Sequence, residues 1–296
     1  MATKYQTNKE AAQEKRDELQ RTLQEGAREL LEELRQGKSS RLQELIKFSA
    51  KFYRYSPLNQ RLIQMQCRAR GIDAEYVASF TDWKARNYNV KKGERGIAIY
   101  QPRPYREIDQ ETGEETEKLY FKIAYVFANT QVVPARPDVP PLPTFFTELQ
   151  GDCEALYNRL VEVVKADGIR LIEEEKIAGQ GYSAKGLIGL KKGLDSTNRF
   201  LTLIHEYAHE LLHPTGSTLE TRVKECQAEA TSFIVAYHFG IDNPFSSDYL
   251  QTWGNDEKSL IEELAVVQRT AATIIKKIEG ERRNSPNALT PDQAVA

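Results

Sequence analysis

The sequence has few cysteines and no motif that would pair them. Three occur among 296 residues, Cys67, Cys153 and Cys226, and they lie far apart without a CxxC motif. An odd number of widely spaced cysteines excludes the disulfide framework of a small secreted domain and indicates a reducing compartment.

Long apolar segments are also missing. No apolar run approaches the ~18 residues that a membrane-spanning helix requires. The first residues, MATKYQTNKEAAQEKRDEL, lack the apolar core of a secretory signal. We therefore expect a cytoplasmic protein with no membrane partner.

Charge is nearly balanced overall but unevenly distributed along the chain. The net charge is -2. Residues 1–40 carry eight basic and eight acidic side chains, whereas residues 41–103 carry 13 basic and five acidic ones. The remaining residues carry a net charge of -10. This asymmetry indicates that the first half contacts a polyanion and the second half does not.

Hydrophobic periodicity predicts an α+β protein. Apolar residues at helical spacing predict helices over 9–36, 41–53, 57–70, 145–166, 197–213, 219–239 and 256–279. The segments GIAIYQP and LYFKIAYVFANTQVV are rich in β-branched and aromatic residues and predict strands.

Composition also predicts the domain boundaries. Five prolines in VPARPDVPPLP indicate a linker, which we place at residues 134–144. We therefore expect an N-terminal helix and α/β domain over 1–133 and a second domain over 145–280. The polar residues 281–296 indicate a disordered tail.

Residues 205–209, His-Glu-Tyr-Ala-His, form an HExxH motif on a predicted helix. Side chains four residues apart lie one above the other, so His205 and His209 can bind one metal ion. Glu206 is placed to take a proton from a water molecule, as a catalytic base does. These residues predict a Zn²⁺ site. The alternative is a helix with two partly exposed histidines.

A catalytic zinc ion needs a third protein ligand. His213 lies a full turn beyond His209, too far along an unbroken helix, and is expected to end the helix before Pro214. Glu225 and Glu229 on the next helix point to one side. We predict Glu225 as the ligand, with Glu229 as the alternate or as a partner of a ligating histidine. Two solvated glutamates are the structural alternative.

Further residues are expected around this site. The strand GLIGL (186–190) is expected to lie beside the zinc ion and present an edge to an extended substrate. The alternative is a plain core strand, and the two are compatible. Tyr182 or His238 are candidates for stabilising an oxyanion.

The basic half combines cations with aromatic residues, as single-stranded nucleic-acid sites do. The candidate binding residues are Lys51, Arg54, Tyr55, Asn59, Arg61, Trp83, Lys84, Arg86, Tyr88, Lys91, Lys92 and Arg95. The alternative is that many of these aromatics belong to the core and that Lys91 and Lys92 lie in a solvated turn.

Several segments resemble known families. LTLIHEYAHELLH and ECQAEATSFIVAYHFGID resemble the zincin metallopeptidase domain of the ImmA/IrrE-like group and of ArdC-type antirestriction proteins. FYRYSPLNQRLIQMQCRARG, VASFTDWKARNYNVKKGERGIAIYQPRP and YFKIAYVFANTQV resemble the ArdC N-terminal single-stranded-DNA-binding domain. In the ImmA/IrrE-like pattern, a Glu four residues before an Asn completes the metal site. Glu225 matches that Glu, and Glu229 replaces the Asn.

The resemblance implies a single-stranded-DNA-binding, zinc-dependent metallopeptidase that acts as an antirestriction factor of a plasmid or phage on an unknown protein substrate. Two alternatives remain. One is a non-catalytic DNA-binding protein with a structural zinc ion. The other is a regulatory protease that cleaves a repressor.

Overall fold

The structure, a computed structural model, describes residues 2–108, 115–142, 153–214, 217–241, 243 and 256–280. It confirms the predicted α+β class, since helices and three separate small sheets make up the described chain. Within these ranges, no helix combines the length and apolar character needed to cross a bilayer. The predicted tail, 281–296, lies outside the described residues.

Eight helices are described. They are α1 (Ala2–Arg35), α2 (Ser40–Lys51), α3 (Pro57–Ala69), α4 (Phe80–Ala85), α5 (Cys153–Ala166), α6 (Ser196–Leu212), α7 (Thr221–His238) and α8 (Glu257–Glu279). The long helices lie where apolar periodicity predicts them, although α1 begins before residue 9. Residues 145–152 of the predicted helix 145–166 lie outside the described residues. The short helix α4 was not predicted; the Ser79 side chain caps its first turn by accepting a hydrogen bond from the Asp82 amide.

Eight strands are described in the same ranges. They are β1 (Val77–Ser79), β2 (Tyr88–Val90), β3 (Ile97–Ile108), β4 (Glu115–Ala128), β5 (Val132–Pro134), β6 (Arg170–Glu174), β7 (Gly181–Ser183) and β8 (Leu187–Lys191). Three sheets result, with strand orders β1-β4-β3, β2-β5 and β6-β8-β7. Among the described strands, only the β6–β8 pair is parallel.

The chain divides into two compact units. Among the described residues, unit 1 comprises 2–26 and 54–142, and unit 2 comprises 27–53 together with those from 153 onward. The predicted boundary instead kept residues 27–53 with the N-terminal domain. Leu30, Leu31 and Leu34 pack in the same core cluster as α2 and α5–α8, which explains their place in unit 2.

The core of unit 1 joins helices to the long β3–β4 hairpin. Leu19 of α1 and Leu62 of α3 pack against Ala98 of β3. A second cluster surrounds Trp83, and Val139 and Leu142 pack against it. The described part of the predicted linker thus packs on unit 1 instead of running free.

In unit 2, α5 to α8 pack around one apolar cluster that also covers the small sheet. Ile188 and Leu190 of β8 are fully buried in this cluster, as are Phe200 and Leu203 of α6. Because β8 lies between β6 and β7, it anchors the sheet to the helix that carries the HExxH motif.

Candidate functional site

Helix α6 presents the two motif histidines side by side. Asp195 caps its start by accepting a hydrogen bond from the Asn198 amide at 2.9 Å. Phe200, Leu203, Ile204 and Tyr207 turn into the core, as the apolar spacing predicts. His205 and His209 lie at the border of this buried stripe, with their Nε2 atoms 3.1 Å apart.

Helix α7 brings a carboxylate to the same point. Glu225 Oε2 lies 3.4 Å from His205 Nε2 and 3.4 Å from His209 Nε2. Ligand atoms of a tetrahedral zinc ion, at about 2.0–2.2 Å from the metal, lie about 3.3–3.6 Å from one another. The three donor atoms are therefore close enough to bind one metal ion. Among the described residues, His205, His209 and Glu225 are the set of His, Cys, Asp or Glu side chains that converge in this way.

The electrostatics of the three groups are coupled. Hydrogen bonds to His205 and His209 hold the pKa of Glu225 well below its ordinary value. Burial acts to lower the pKa of His205, but the Glu225 hydrogen bond and the charges of Glu206, Glu225 and Glu229 raise it overall. The carboxylate thus remains ionised, as a metal ligand must be.

Glu206 is buried beside these residues. Its side chain is only 8% exposed. A Cβ added to Gly181 would lie 3.1 Å from Glu206 Oε1, so the β7 backbone passes directly over the carboxylate. Burial raises the pKa of Glu206, and the neighbouring His205 and His209 act against this rise. A raised pKa suits a general base that works near neutral pH.

A cavity of about 430 Å³ opens at this point. His205, Glu206 and Glu225 line it together with Glu229. Further lining residues are Gln180, Gly181, Asn198, Thr202, Ser232 and Asn243. Polar side chains line the cavity on several sides of the candidate metal centre. A polar group of a substrate can therefore enter the cavity and approach this centre.

Strand β7, and not the predicted GLIGL segment, supplies the open edge. Strand β8 (Leu187–Lys191) is the central strand and is paired on both sides. The expectation that GLIGL presents an edge is therefore wrong, and its plain core alternative is correct. Strand β7 pairs only with β8 among the described strands, and its Gly181 lines the cavity.

His209 is linked through hydrogen bonds to His213 and then to Gln227. His209 Nδ1 lies 3.0 Å from His213 Nδ1, and His213 Nε2 lies 3.1 Å from Gln227 Oε1. His213 is not one of the three convergent residues, in agreement with its predicted place at the helix end. Its contact with His209 was missed, although the four-residue spacing of the two histidines would have indicated it.

Glu229 occupies a different position from Glu225. It lines the cavity one turn further along α7 and acts electrostatically on His205. It is not part of the three-residue donor group. This placement favours Glu225 as the ligand and leaves Glu229 beside it.

The two candidates for oxyanion stabilisation are placed elsewhere. The Tyr182 hydroxyl lies 3.4 Å from Glu174 Oε2, and its ring covers Gly189. His238 is buried, with Nδ1 2.9 Å from the Ala50 carbonyl oxygen and Nε2 3.0 Å from Glu279 Oε1. Both suggestions are therefore wrong, because these side chains serve other partners and do not line the cavity.

In unit 1, the structure buries the aromatic residues predicted to stack on bases. Trp83 is fully buried and donates to the Phe127 carbonyl. Tyr55 and Tyr88 are 6% exposed and donate to the carbonyls of Val77 and Pro140. Their prediction as stacking surfaces is wrong, because their rings belong to the core.

Asn59 is likewise structural. It is 2% exposed, and its side-chain amide pairs with the backbone of Tyr100, donating to the carbonyl and accepting from the N–H. Both hydrogen-bonding groups of the amide are thus engaged within the domain. The prediction that Asn59 contacts nucleic acid is wrong for this fold.

The predicted cations fall into two groups. Exposed side chains belong to Lys84, Lys91, Lys92 and Arg95, and half-buried ones to Lys51, Arg54, Arg61 and Arg86. Burial lowers the pKa of Arg61 and of Arg86. Lys51 lies in unit 2, whereas the other seven lie in unit 1. The four exposed cations can attract a polyanion, but the aromatic residues predicted to stack on bases beside them are buried.

Comparisons with known proteins find one family model and several proteins similar to this chain. Residues 9–128 match the family model described as the N-terminal domain of anti-restriction factor ArdC. An uncharacterized protein of Bacillus anthracis is 26% identical over 283 residues, which cover 80% of this chain and 47% of the relative. The chain thus spans about half the length of the curated relative it matches.

Two solved structures of the antirestriction protein ArdC from plasmid R388 are also similar. The metal-free structure is 18% identical, with a TM-score of 0.49, and its match covers 76% of this chain and 85% of the ArdC chain. The Mn(II)-bound structure is 16% identical, with a TM-score of 0.44, and its match covers 77% of this chain and 90% of the ArdC chain.

The similarity to the ArdC N-terminal domain covers residues 9–128. The predicted resemblance to ArdC is thereby confirmed for this part of the chain. The ImmA/IrrE-like resemblance of the later segments stays a prediction.

Proposed function

We propose that this chain is an antirestriction factor that binds single-stranded DNA through unit 1 and carries a zinc-dependent peptidase site in unit 2. The observation that carries the enzymatic part is the convergence of His205, His209 and Glu225 beside the buried carboxylate of Glu206. The match of residues 9–128 to the ArdC N-terminal domain supports the antirestriction part.

The donor set suits zinc. Two imidazoles and one carboxylate are a ligand set of catalytic zinc sites, which keep a further position for water or substrate. When bound, the metal would supply Lewis-acid activation of a water molecule and of a carbonyl oxygen. The His205 and His209 imidazoles and the Glu225 carboxylate would hold it.

The protein's own groups would perform the proton transfers. Glu206 would accept a proton from the attacking water and pass it to the leaving amine, for which a raised carboxyl pKa is suitable. The edge of β7 that no described strand covers would pair with an extended peptide and align its carbonyl with the cavity, because Gly181 leaves no side chain between the strand and Glu206.

A purely structural metal site is less well supported. A structural site closes all coordination positions with protein ligands. Here three donors converge next to an open cavity, and the buried Glu206 is not one of them. The alternative of a regulatory protease uses the same site, and it differs only in the protein that is cleaved.

Substitution of Glu206 by Gln separates these functions. The full-length variant should retain zinc and single-stranded DNA binding but lose cleavage of denatured casein and lose protection of incoming plasmid DNA in a restricting host. Glu220→Gln, an exposed change at the start of α7, is the matched control. If Glu206→Gln protects as well as the unmodified protein, hydrolysis is not the relevant activity. Cleavage of a repressor without any protection would favour the regulatory protease.

A further inference from the structure

The long β3–β4 hairpin of unit 1 carries aromatic residues with exposed rings, unlike the buried Tyr55, Trp83 and Tyr88. Strands β3 and β4 pair in a continuous antiparallel register from Ile97 with Val126 to Ile108 with Glu115. Near the core, Ile97 and Ala98 are fully buried. Further out, the hairpin leaves large rings in solvent, with Tyr105 40% and Tyr120 48% exposed.

Register places these rings on one face with cations. Directly paired residues of antiparallel strands share a face, and every second residue along a strand returns to it. Three consecutive pairs on this face are Gln101 with Lys122, Arg103 with Tyr120, and Tyr105 with Lys118. We call these six residues the hairpin ladder.

The two tyrosines of the hairpin ladder contact each other. Their ring centroids lie 5.9 Å apart with an interplanar angle of 67°, an edge-to-face arrangement. This contact fixes the rings while roughly half of each remains exposed. A fixed, exposed ring is a surface on which an unpaired base can stack at little cost in side-chain entropy.

The charge of the hairpin ladder is positive. Lys118 pairs with Glu107, whereas Arg103 donates to the Gln101 side chain, a neutral group. Lys122 makes no ion pair with any residue that the structure describes. Two cations therefore remain available for phosphates beside two exposed rings.

The opposite face of the same hairpin differs in chemistry. Its pairs are Pro102 with Phe121, Pro104 with Leu119, and Arg106 with Glu117, so its charges cancel. It also continues the side on which Tyr100 and Ile123 pack against α1 and α3. The hairpin ladder, by contrast, lies on the side that combines net positive charge with exposed tyrosines.

We propose that the hairpin ladder is the base-stacking platform on which unit 1 holds single-stranded DNA. Tyr105 and Tyr120 stack one base each, and Arg103 and Lys122 contact the flanking phosphates. This proposal rests on the proposed function of unit 1, and it moves the stacking surface from Tyr55, Trp83 and Tyr88 to the hairpin. The exposed Lys84, Lys91 and Lys92 supply attraction without stacking.

Fluorescence anisotropy with a labelled thymidine oligomer and the full-length protein tests this platform. Tyr105→Ala and Tyr120→Ala should each raise the Kd by about 5- to 150-fold. Tyr105→Phe and Tyr120→Phe should leave it unchanged, because a phenyl ring also stacks. Leu119→Ala, on the opposite face and similarly exposed, is the matched control.

A salt titration gives a second readout that does not depend on the tyrosine variants. Lys122→Gln should reduce the slope of log K against log salt by about 0.7. The proposal is overturned if the unmodified protein binds the oligomer but neither the alanine variants nor Lys122→Gln change the Kd or the slope. Failure of the unmodified protein to bind overturns the proposed DNA-binding function itself and the platform with it. The two failures are thus distinguishable.

Discussion

His209 and His213 face each other through their Nδ1 atoms at 3.0 Å. Only one of these two nitrogens can carry the shared proton. If His209 presents Nε2 to a metal ion, its Nδ1 donates and His213 Nδ1 accepts. His213 then carries its proton on Nε2 and donates it to Gln227 Oε1. The buried Gln227 thereby fixes which nitrogen of His209 is offered to the metal.

Replacing His213 should therefore weaken metal binding without unfolding the protein. His213→Phe keeps a ring of similar size but removes the acceptor for His209 Nδ1, and we expect a zinc affinity about 10- to 100-fold lower. Competition with a chromophoric chelator measures this affinity. Leu211→Ala, an exposed change on the same helical turn, serves as the control. Equal zinc affinity of His213→Phe and the unmodified protein would refute the supporting role of His213.

Glu225 and Glu229 can be distinguished by their effect on metal content. Glu225→Gln removes the carboxylate that lies 3.4 Å from both histidines, so the purified variant should lose bound zinc. Glu229→Gln removes a charge that acts on His205 but lies outside the donor group, so this variant should retain the metal. Elemental analysis after dialysis measures both. Loss of zinc from Glu229→Gln alone would exchange the two assignments.

Gly181 should be required for activity because of the space it leaves. An added Cβ would lie 2.6 Å from Thr202 Cγ2 and 3.1 Å from Glu206 Oε1. We expect Gly181→Ala to displace β7 or Glu206 and to lower casein cleavage by at least about tenfold, a change of about 1.4 kcal/mol in barrier, while zinc content stays constant. Thr202→Ser removes the closest obstructing atom and should restore part of the cleavage rate. Full activity of Gly181→Ala alone would show that the contact between β7 and Glu206 is unimportant.

An ion pair away from the cavity should make the stability of unit 2 depend on pH. Burial acts to raise the pKa of Asp167, but hydrogen bonds from Lys277 and Tyr207 and the Lys277 charge lower it overall. Lys277 Nζ lies 2.7 Å from Asp167 Oδ1. A carboxyl whose folded pKa is lowered stabilises the fold above its unfolded pKa of about 3.9, and the effect is lost as pH falls through the folded pKa.

Asp167→Asn should consequently reduce the free energy of unfolding by about 1 kcal/mol near neutral pH. The difference from the unmodified protein should shrink as the pH falls below about 4. Urea unfolding at several pH values measures it. A difference that is constant across the acidic range would show that the charge of Asp167 is not its cause.

The sequence predicted the helices well, and with them the proximity of His205 and His209, because both depend on local spacing. The leucines of α1 and the apolar stripe of α6 recur with the helical period, and four-residue spacing sets His205 beside His209. The edge strand β7 was missed because three residues, Gly181–Ser183, carry no periodic signal. The sequence favoured Glu225 over Glu229, and the packing of α7 against α6 places Glu225 beside both histidines.

The burial of the aromatic residues in unit 1 was predicted least well, for a physical reason. Tyr55, Trp83 and Tyr88 lie among cations in the sequence, yet a domain of this size buries its largest rings. Tyr105 and Tyr120 are exposed because β3 and β4 stay paired as far as Ile108 and Glu115, beyond the helices that cover the base of the hairpin. That extension depends on tertiary packing, which composition does not encode.

X-ray absorption at the zinc edge of the purified full-length protein tests the central claim most directly. The account predicts one zinc ion per chain, bound by two imidazoles and by oxygen donors at about 2.0–2.2 Å, with this spectrum lost in His205→Ala, His209→Ala and Glu225→Ala. A protein that takes up no zinc, or whose zinc spectrum persists in all three variants, would contradict it.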